Sequence, residues 1–216
     1  MHKGKYSMSL LIEKARIMLS LRGNYLNSDI LRDTNIVSTC VDLSDEEYRV
    51  LTYFTAVGTG KIYRHFQEYG ESEIKDLLDF FDNILRKLGH VRQNVVYRMD
   101  SYEDYLDKDD YMEKYNYYLR KEVILDVPWA LSASLENWNC DSPQYPIWEI
   151  ELLPNNSQAH PIYPYIKEYE SKAHETEVRF ESNTLLKVVS VSEKDGYPYI
   201  KMKETLERSH SNIISL

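Results

Sequence analysis

At Gly89 the hydrophobic period of this 216-residue chain changes, and that change decides which folds are open to it. Ahead of it, Ile74, Leu77, Leu78, Phe81, Ile84, Leu85 and Leu88 recur at the i, i+3, i+4, i+7 spacing of an amphipathic helix. Ser72 is placed to cap that helix and Gly89 to end it, because a helix often closes on a residue with positive φ, which glycine adopts without steric cost. Beyond Gly89 the apolar residues come in short runs, at 95–98, 123–127, 129–135, 147–153, 161–166, 177–180, 185–191 and 197–202. Helices first and short, antiparallel-type strands afterwards are the pattern of the α+β class.

Turn chemistry separates these runs. Pro154-Asn155-Asn156 follows the fourth, Ser182-Asn183 divides the sixth from the seventh, and Glu193-Lys194-Asp195-Gly196 folds the seventh onto the eighth as a hairpin. Pro128 lacks a ladder donor and ends the second run, and the prolines of 161–166 assign that run to a sheet edge. Residues 101–122 hold Asp107, Asp109 and Asp110 among six tyrosines, and read as a charged helix or an ordered lid.

Upstream, Leu11, Ala15, Met18 and Leu19 place an amphipathic helix over residues 8–21, followed by an Asn/Asp-rich connector. Ser44-Asp45-Glu46-Glu47 has the form of a capping box and should start a helix carrying Tyr48, Leu51 and Phe54 inward, with a bend at Gly58 and Gly60. The chain divides on this reading into a helical extension, residues 1–43, and one domain, residues 44–216.

Composition narrows the function. Hydrophobic residues at 43% and charged residues at 28% are those of a globular protein, and a net charge of −9 argues against gripping a phosphate backbone, so nucleic acid is an unlikely partner. Two cysteines, Cys40 and Cys140, make no disulfide framework, and six histidines without metal spacing imply no metal. No apolar run reaches 18 residues, so no membrane span is expected, and Glu13, Lys14 and Arg16 break the first apolar run too soon for a signal peptide. The expected setting is the cytoplasm, or delivery into a target cell without a classical signal. Walker, GxGxxG and GxSxG patterns are missing.

The remaining chemistry lies in three places. Arg98 ends the run at 95–98, Ser132 and Ser134 stand on alternate positions of 129–135, and Glu175 and Glu177 lead into 177–180, where side chains two apart share a face. Glu-x-Glu alone decides nothing, since Glu71 and Glu73, Glu149 and Glu151, and Glu168 and Glu170 repeat it. Singly, the arginine reads as a solvated charge, the serines as outward strand residues and the glutamates as a charged edge.

Taken together and in order, arginine, serine-x-serine and glutamate-x-glutamate resemble the signature of the mono-ADP-ribosyltransferases of the toxin, phage and ecto-enzyme type, over roughly residue 45 to the C-terminus. The resemblance implies a helical N-terminal lobe packed on a split pair of small, mostly antiparallel sheets around a cleft for NAD, used as co-substrate. It gives Glu177 the carboxylate that stabilises the ribose cation, Glu175 the alignment of an acceptor arginine on a partner protein, and Ser132 the bracing of the catalytic glutamate. Arg98 would hold the cofactor's phosphate and ribose portion, with Ser134 in support and Trp138 or Tyr145 stacking on nicotinamide. Tyr165 and Tyr169 would recognise the acceptor protein. Met99 and Ala133 stand where many relatives have glycine and threonine. Two alternatives remain: an NAD glycohydrolase on the same scaffold, and an inactive module that binds a partner through its acidic, tyrosine-rich surface.

Overall fold

A computed structural model of the chain describes residues 43–44, 47, 51, 71–102, 107–137, 145–162, 176–208 and 212–216. The helix expected over 8–21, its connector and the bend at Gly58 and Gly60 lie outside them.

The change of period at Gly89 is a change of structure. Helix α1 spans Glu71–Lys87 and buries Leu78, Phe81, Ile84 and Leu85, with Leu88 just past its end; burial stabilises each by about 1.5–3 kcal/mol. Gly89 closes it at φ 81°. The capping box forms as expected: the Ser44 amide donates to Glu47 Oε2 at 2.9 Å and the Glu47 amide to Ser44 Oγ at 3.3 Å. Lys87 reaches Glu47 at 2.7 Å and so ties that cap to the end of α1.

Among the described residues nine strands follow: β1 Val95–Met99, β2 Ile124–Val127, β3 Ser132–Ser134, β4 Ile147–Glu151, β5 Ala159–Pro161, β6 Glu177–Phe180, β7 Thr184–Lys194, β8 Tyr197–Thr205 and β9 Ile213–Ser215. A second helix, α2 Lys108–Arg120, lies between β1 and β2. Of the two readings left open for 101–122, the charged helix is the one found over 108–120, capped by the Asp107 carboxylate, which accepts from the Asp109 and Asp110 amides.

The strands join in the order β5-β6-β3-β1-β4-β8-β7-β2-β9. Pairing is antiparallel except for β4 with β8 and β2 with β9, and the parallel β4–β8 contact links the five strands at one end to the four at the other in one hydrogen-bonded ladder. Asp195 and Gly196, at φ 51° and 88°, make the β7–β8 turn with both residues in the left-handed region, the type I′ chemistry that suits a two-residue hairpin.

Three runs differ from expectation. Of the strand placed at 161–166, residues 163–166 lie outside the described residues; the described strand is Ala159–Pro161, with His160 at its central register position, and it stands at the sheet edge. The run 129–135 is strand only over Ser132–Ser134. β9 carries no alternating pattern long enough to be read from sequence, and exists because it adds a parallel edge to β2.

The main core sets Tyr111 and Tyr115 of α2 against Val96, Trp148, Ile150, Val178, Phe180, Val188, Ile200 and Met202. The Tyr111 hydroxyl is satisfied inside it, donating to Asp100 at 2.8 Å and accepting from the Trp148 indole at 2.7 Å. On β6, Val178 and Phe180 face this core, and strand alternation turns Glu177 and Arg179 to the opposite side. Among the described residues no helix is long and apolar enough to cross a membrane.

Candidate active site

The sheet order places β6, β3 and β1 side by side, and these are the three strands that carry Glu177, Ser132 with Ser134, and Arg98. Register fixes the rest. Ser132 stands opposite Arg179 and Ser134 opposite Glu177, while Tyr97 stands opposite Ser134 on the other side of β3. Ser132, Ser134, Glu177 and Arg179 therefore project from one face within a few ångströms, since opposed residues on neighbouring antiparallel strands have Cβ atoms about 5 Å apart.

Glu177 is the centre of this group, with its side chain 12% exposed. Its Oε1 accepts from Ser132 Oγ at 3.1 Å and from Arg179 Nη2 at 2.7 Å. Oε2 accepts from no described residue. One oxygen is thus fixed by two donors from two strands.

Arg98 reaches the backbone of β3 from the neighbouring strand. Its Nη1 donates to the Ser132 carbonyl at 2.9 Å, and its guanidinium lies 5.6 Å from the centroid of the Trp148 ring. Asp100 is 3.7 Å from Nη2, beyond hydrogen-bond length, and the buried Nε meets no hydrogen-bond partner among the described residues. The guanidinium has donors to spare, which suits an anionic oxygen.

Ser134 is engaged locally. Its hydroxyl shares a 2.8 Å hydrogen bond with that of Thr176 and accepts from the Glu136 amide at 3.1 Å, while the Leu135 amide donates to the Thr176 carbonyl at 3.0 Å. These bonds anchor the residue that precedes Glu177. Tyr145 is 43% exposed, and the Asp100 amide, donating to the Pro146 carbonyl at 2.8 Å, brings it past the end of β1. Trp138, Tyr165, Tyr169 and Glu175 lie outside the described residues.

Arg179 is the residue that motif reasoning passed over. It is 3% exposed, and burial draws its pKa down, an effect that the Glu177 carboxylate opposes and the charge of Arg98 increases. An arginine remains charged regardless, so it needs its carboxylate partner. Strand parity was the available signal: a position two along from Glu177 shares its face.

An open hollow of about 380 Å³ abuts the group, lined by Arg92, Gln93, Asn94, Val95, Tyr97 and Leu135. It meets the site where Tyr97 faces Ser134, and takes in none of Arg98, Ser132 and Glu177. Its size is at the low end for a small-molecule pocket.

Neither family models nor curated proteins match the sequence. Solved structures do match the fold. The ADP-ribosyltransferase Vis, a toxin from Vibrio splendidus, in complex with agmatine aligns at a TM-score of 0.53 and 14% identity, over 99% of this chain and 93% of that one. The Clostridium limosum C3 exoenzyme aligns at 0.57 and 16% over 90% and 94%, and an ADP-ribosyltransferase from Clostridium botulinum at 0.57 and 12% over 93% and 98%. The chain has the ADP-ribosyltransferase fold.

Proposed function

We propose that the protein is a mono-ADP-ribosyltransferase that cleaves NAD, releases nicotinamide and passes ADP-ribose to an arginine of an acceptor protein. The observation that carries this reading is the Glu177 carboxylate, held through Oε1 by Ser132 and with no described donor on Oε2, one strand removed from the strand bearing Arg98. The shared fold supports it. So does the agmatine bound by Vis, which carries the same guanidinium group as an arginine side chain.

As the bond between nicotinamide and ribose lengthens, positive charge develops on the ribose, and a fixed carboxylate is worth most at that moment. Glu177 supplies it. The immobilised Oε1 means that no reorganisation is needed as charge appears, and Oε2 accepts from a ribose hydroxyl. Arg98 takes a phosphate oxygen through its remaining donors, for which its fork geometry suits it better than lysine would be. Ser134 and Thr176 hold the start of β6 and so the Cα of Glu177. Glu175 aligns the acceptor guanidinium, Tyr165 and Tyr169 contact the acceptor protein, and Trp138 or Tyr145 stacks on nicotinamide.

The test is incubation with NAD and agmatine. Release of nicotinamide with ADP-ribosylated agmatine supports the reading; nicotinamide release with free ADP-ribose alone replaces it with an NAD glycohydrolase. If NAD at millimolar concentration neither reacts nor raises the melting temperature, a module without catalysis is the better account.

A further inference from the structure

Glu177 has two donors on one oxygen, and the resemblance accounts for only one of them. Ser132 contributes a neutral hydroxyl at 3.1 Å; Arg179 contributes a charged donor at 2.7 Å, the shorter of the two contacts. Charge-assisted bonds of this kind are roughly twice as strong as neutral ones. The two donors stand directly opposite each other in the β3–β6 register, so they reach the same carboxylate from two strands and meet at Oε1.

With Ser132 alone, rotation about the terminal torsion of Glu177 would present either oxygen to a ligand, because that torsion is broad and two-fold. Two donors on Oε1 remove that freedom. Arg179 is itself held. It is 3% exposed, and on its other side His160 occupies the opposing position of β5, with its own ring nitrogens committed to the Gly89 carbonyl at 2.5 Å and to Glu181 at 3.0 Å. A guanidinium walled in this way has little room to follow a moving carboxylate.

We infer that Arg179 is a positioning residue, which locks the Glu177 carboxylate with Oε1 inward and Oε2 toward the ribose. This rests on the transferase reading of the site. Arg179 acts through Glu177 and touches neither NAD nor the acceptor. Its loss should slow the chemical step and leave NAD affinity nearly intact, the split expected when an interaction matters to the transition state more than to ground-state binding.

The experiment measures nicotinamide release by the full chain, wild type against Arg179→Met and Arg179→Lys, with melting temperatures alongside. The expected result is kcat about 30- to 100-fold lower in Arg179→Met, KM for NAD within about threefold of wild type, and recovery of about tenfold in Arg179→Lys, which restores one charged donor without the fork. Should Arg179→Met fail to fold, Arg179→Lys carries the test alone, with kcat about three- to tenfold below wild type at unchanged KM. Wild-type kcat in either folded variant overturns the inference, as does a loss expressed in KM or an equal loss in both. A wild-type protein that releases no nicotinamide defeats the transferase reading instead, and the positioning role with it.

Discussion

Arg179 Nη2 lies 2.7 Å from Glu177 Oε1, two positions along the same strand, and the pair is almost sealed from solvent at 3% and 12% side-chain exposure. The residue proposed to perform the chemistry is thus also the counter-charge that allows a guanidinium to be buried.

Glu177→Gln should therefore do more than stop turnover. Removing one partner of a buried pair leaves the other charge uncompensated, and we expect stability to fall by about 3 kcal/mol along with loss of nicotinamide release. Urea denaturation of both proteins checks this. A variant as stable as wild type would mean that Arg179 finds another partner.

Arg98→Lys keeps the charge at β1 but replaces a fork by a point donor, and forfeits the bond from Nη1 to the Ser132 carbonyl. KM for NAD should rise about tenfold, with a smaller change in kcat, in steady-state nicotinamide release.

Glu175→Gln separates the two half-reactions. Transfer to agmatine should be lost while NAD hydrolysis persists, as followed by separating ADP-ribose from ADP-ribosylagmatine. Equal loss of both would refute the division of labour between Glu175 and Glu177.

Asp82 gives a pH dependence of stability independent of the reaction. It is buried on α1, accepts from the amide and hydroxyl of Ser182, and burial, reinforced by the charge of Glu181 and only partly offset by Ser182 and Arg86, pushes its carboxyl up to about 6. Between about pH 4 and 6 the folded protein holds this proton and the unfolded chain does not, so the contribution weakens as pH rises through that window. At about 1.4 kcal/mol per pH unit the ceiling is about 3 kcal/mol. Glu181 works the other way. Burial alone would raise it, but bonds from His160 and Arg86 together hold it below the usual carboxylate range, so its contribution is lost only as pH falls through that lowered value. The difference in urea stability between wild type and Asp82→Asn should therefore shrink as pH rises from 4.5 to 7; a constant difference would contradict the assignment.

Much of this arrangement was legible in the sequence because it is written in local rules. The apolar stripe from Leu78 to Leu88 gives α1, Gly89 its end, Asp195-Gly196 the hairpin, and Ser44 with Glu47 the cap. What sequence could not supply was the order of strands that are distant along the chain. Nothing local states that β4 pairs in parallel with β8, or that β3 lies between β1 and β6, and the placing of Arg98, Ser132 and Glu177 on three adjoining strands depends on that order. Arg179 was missed because its meaning is relational: a charged residue in a four-residue strand reads as an outward side chain until Ser132 and His160 appear on either side of it. The start of β5 at Ala159 was not legible because the buried His160 ring is stabilised by Gly89 and Glu181 and not by any local pattern.

The central claim is that this face of the sheet transfers ADP-ribose to arginine. Mass spectrometry of a cell lysate incubated with NAD and the purified protein tests it most directly. The account predicts ADP-ribose on arginine side chains with wild type and none with Glu177→Gln. An unmodified lysate with NAD left intact, or modification confined to residues other than arginine, would contradict it.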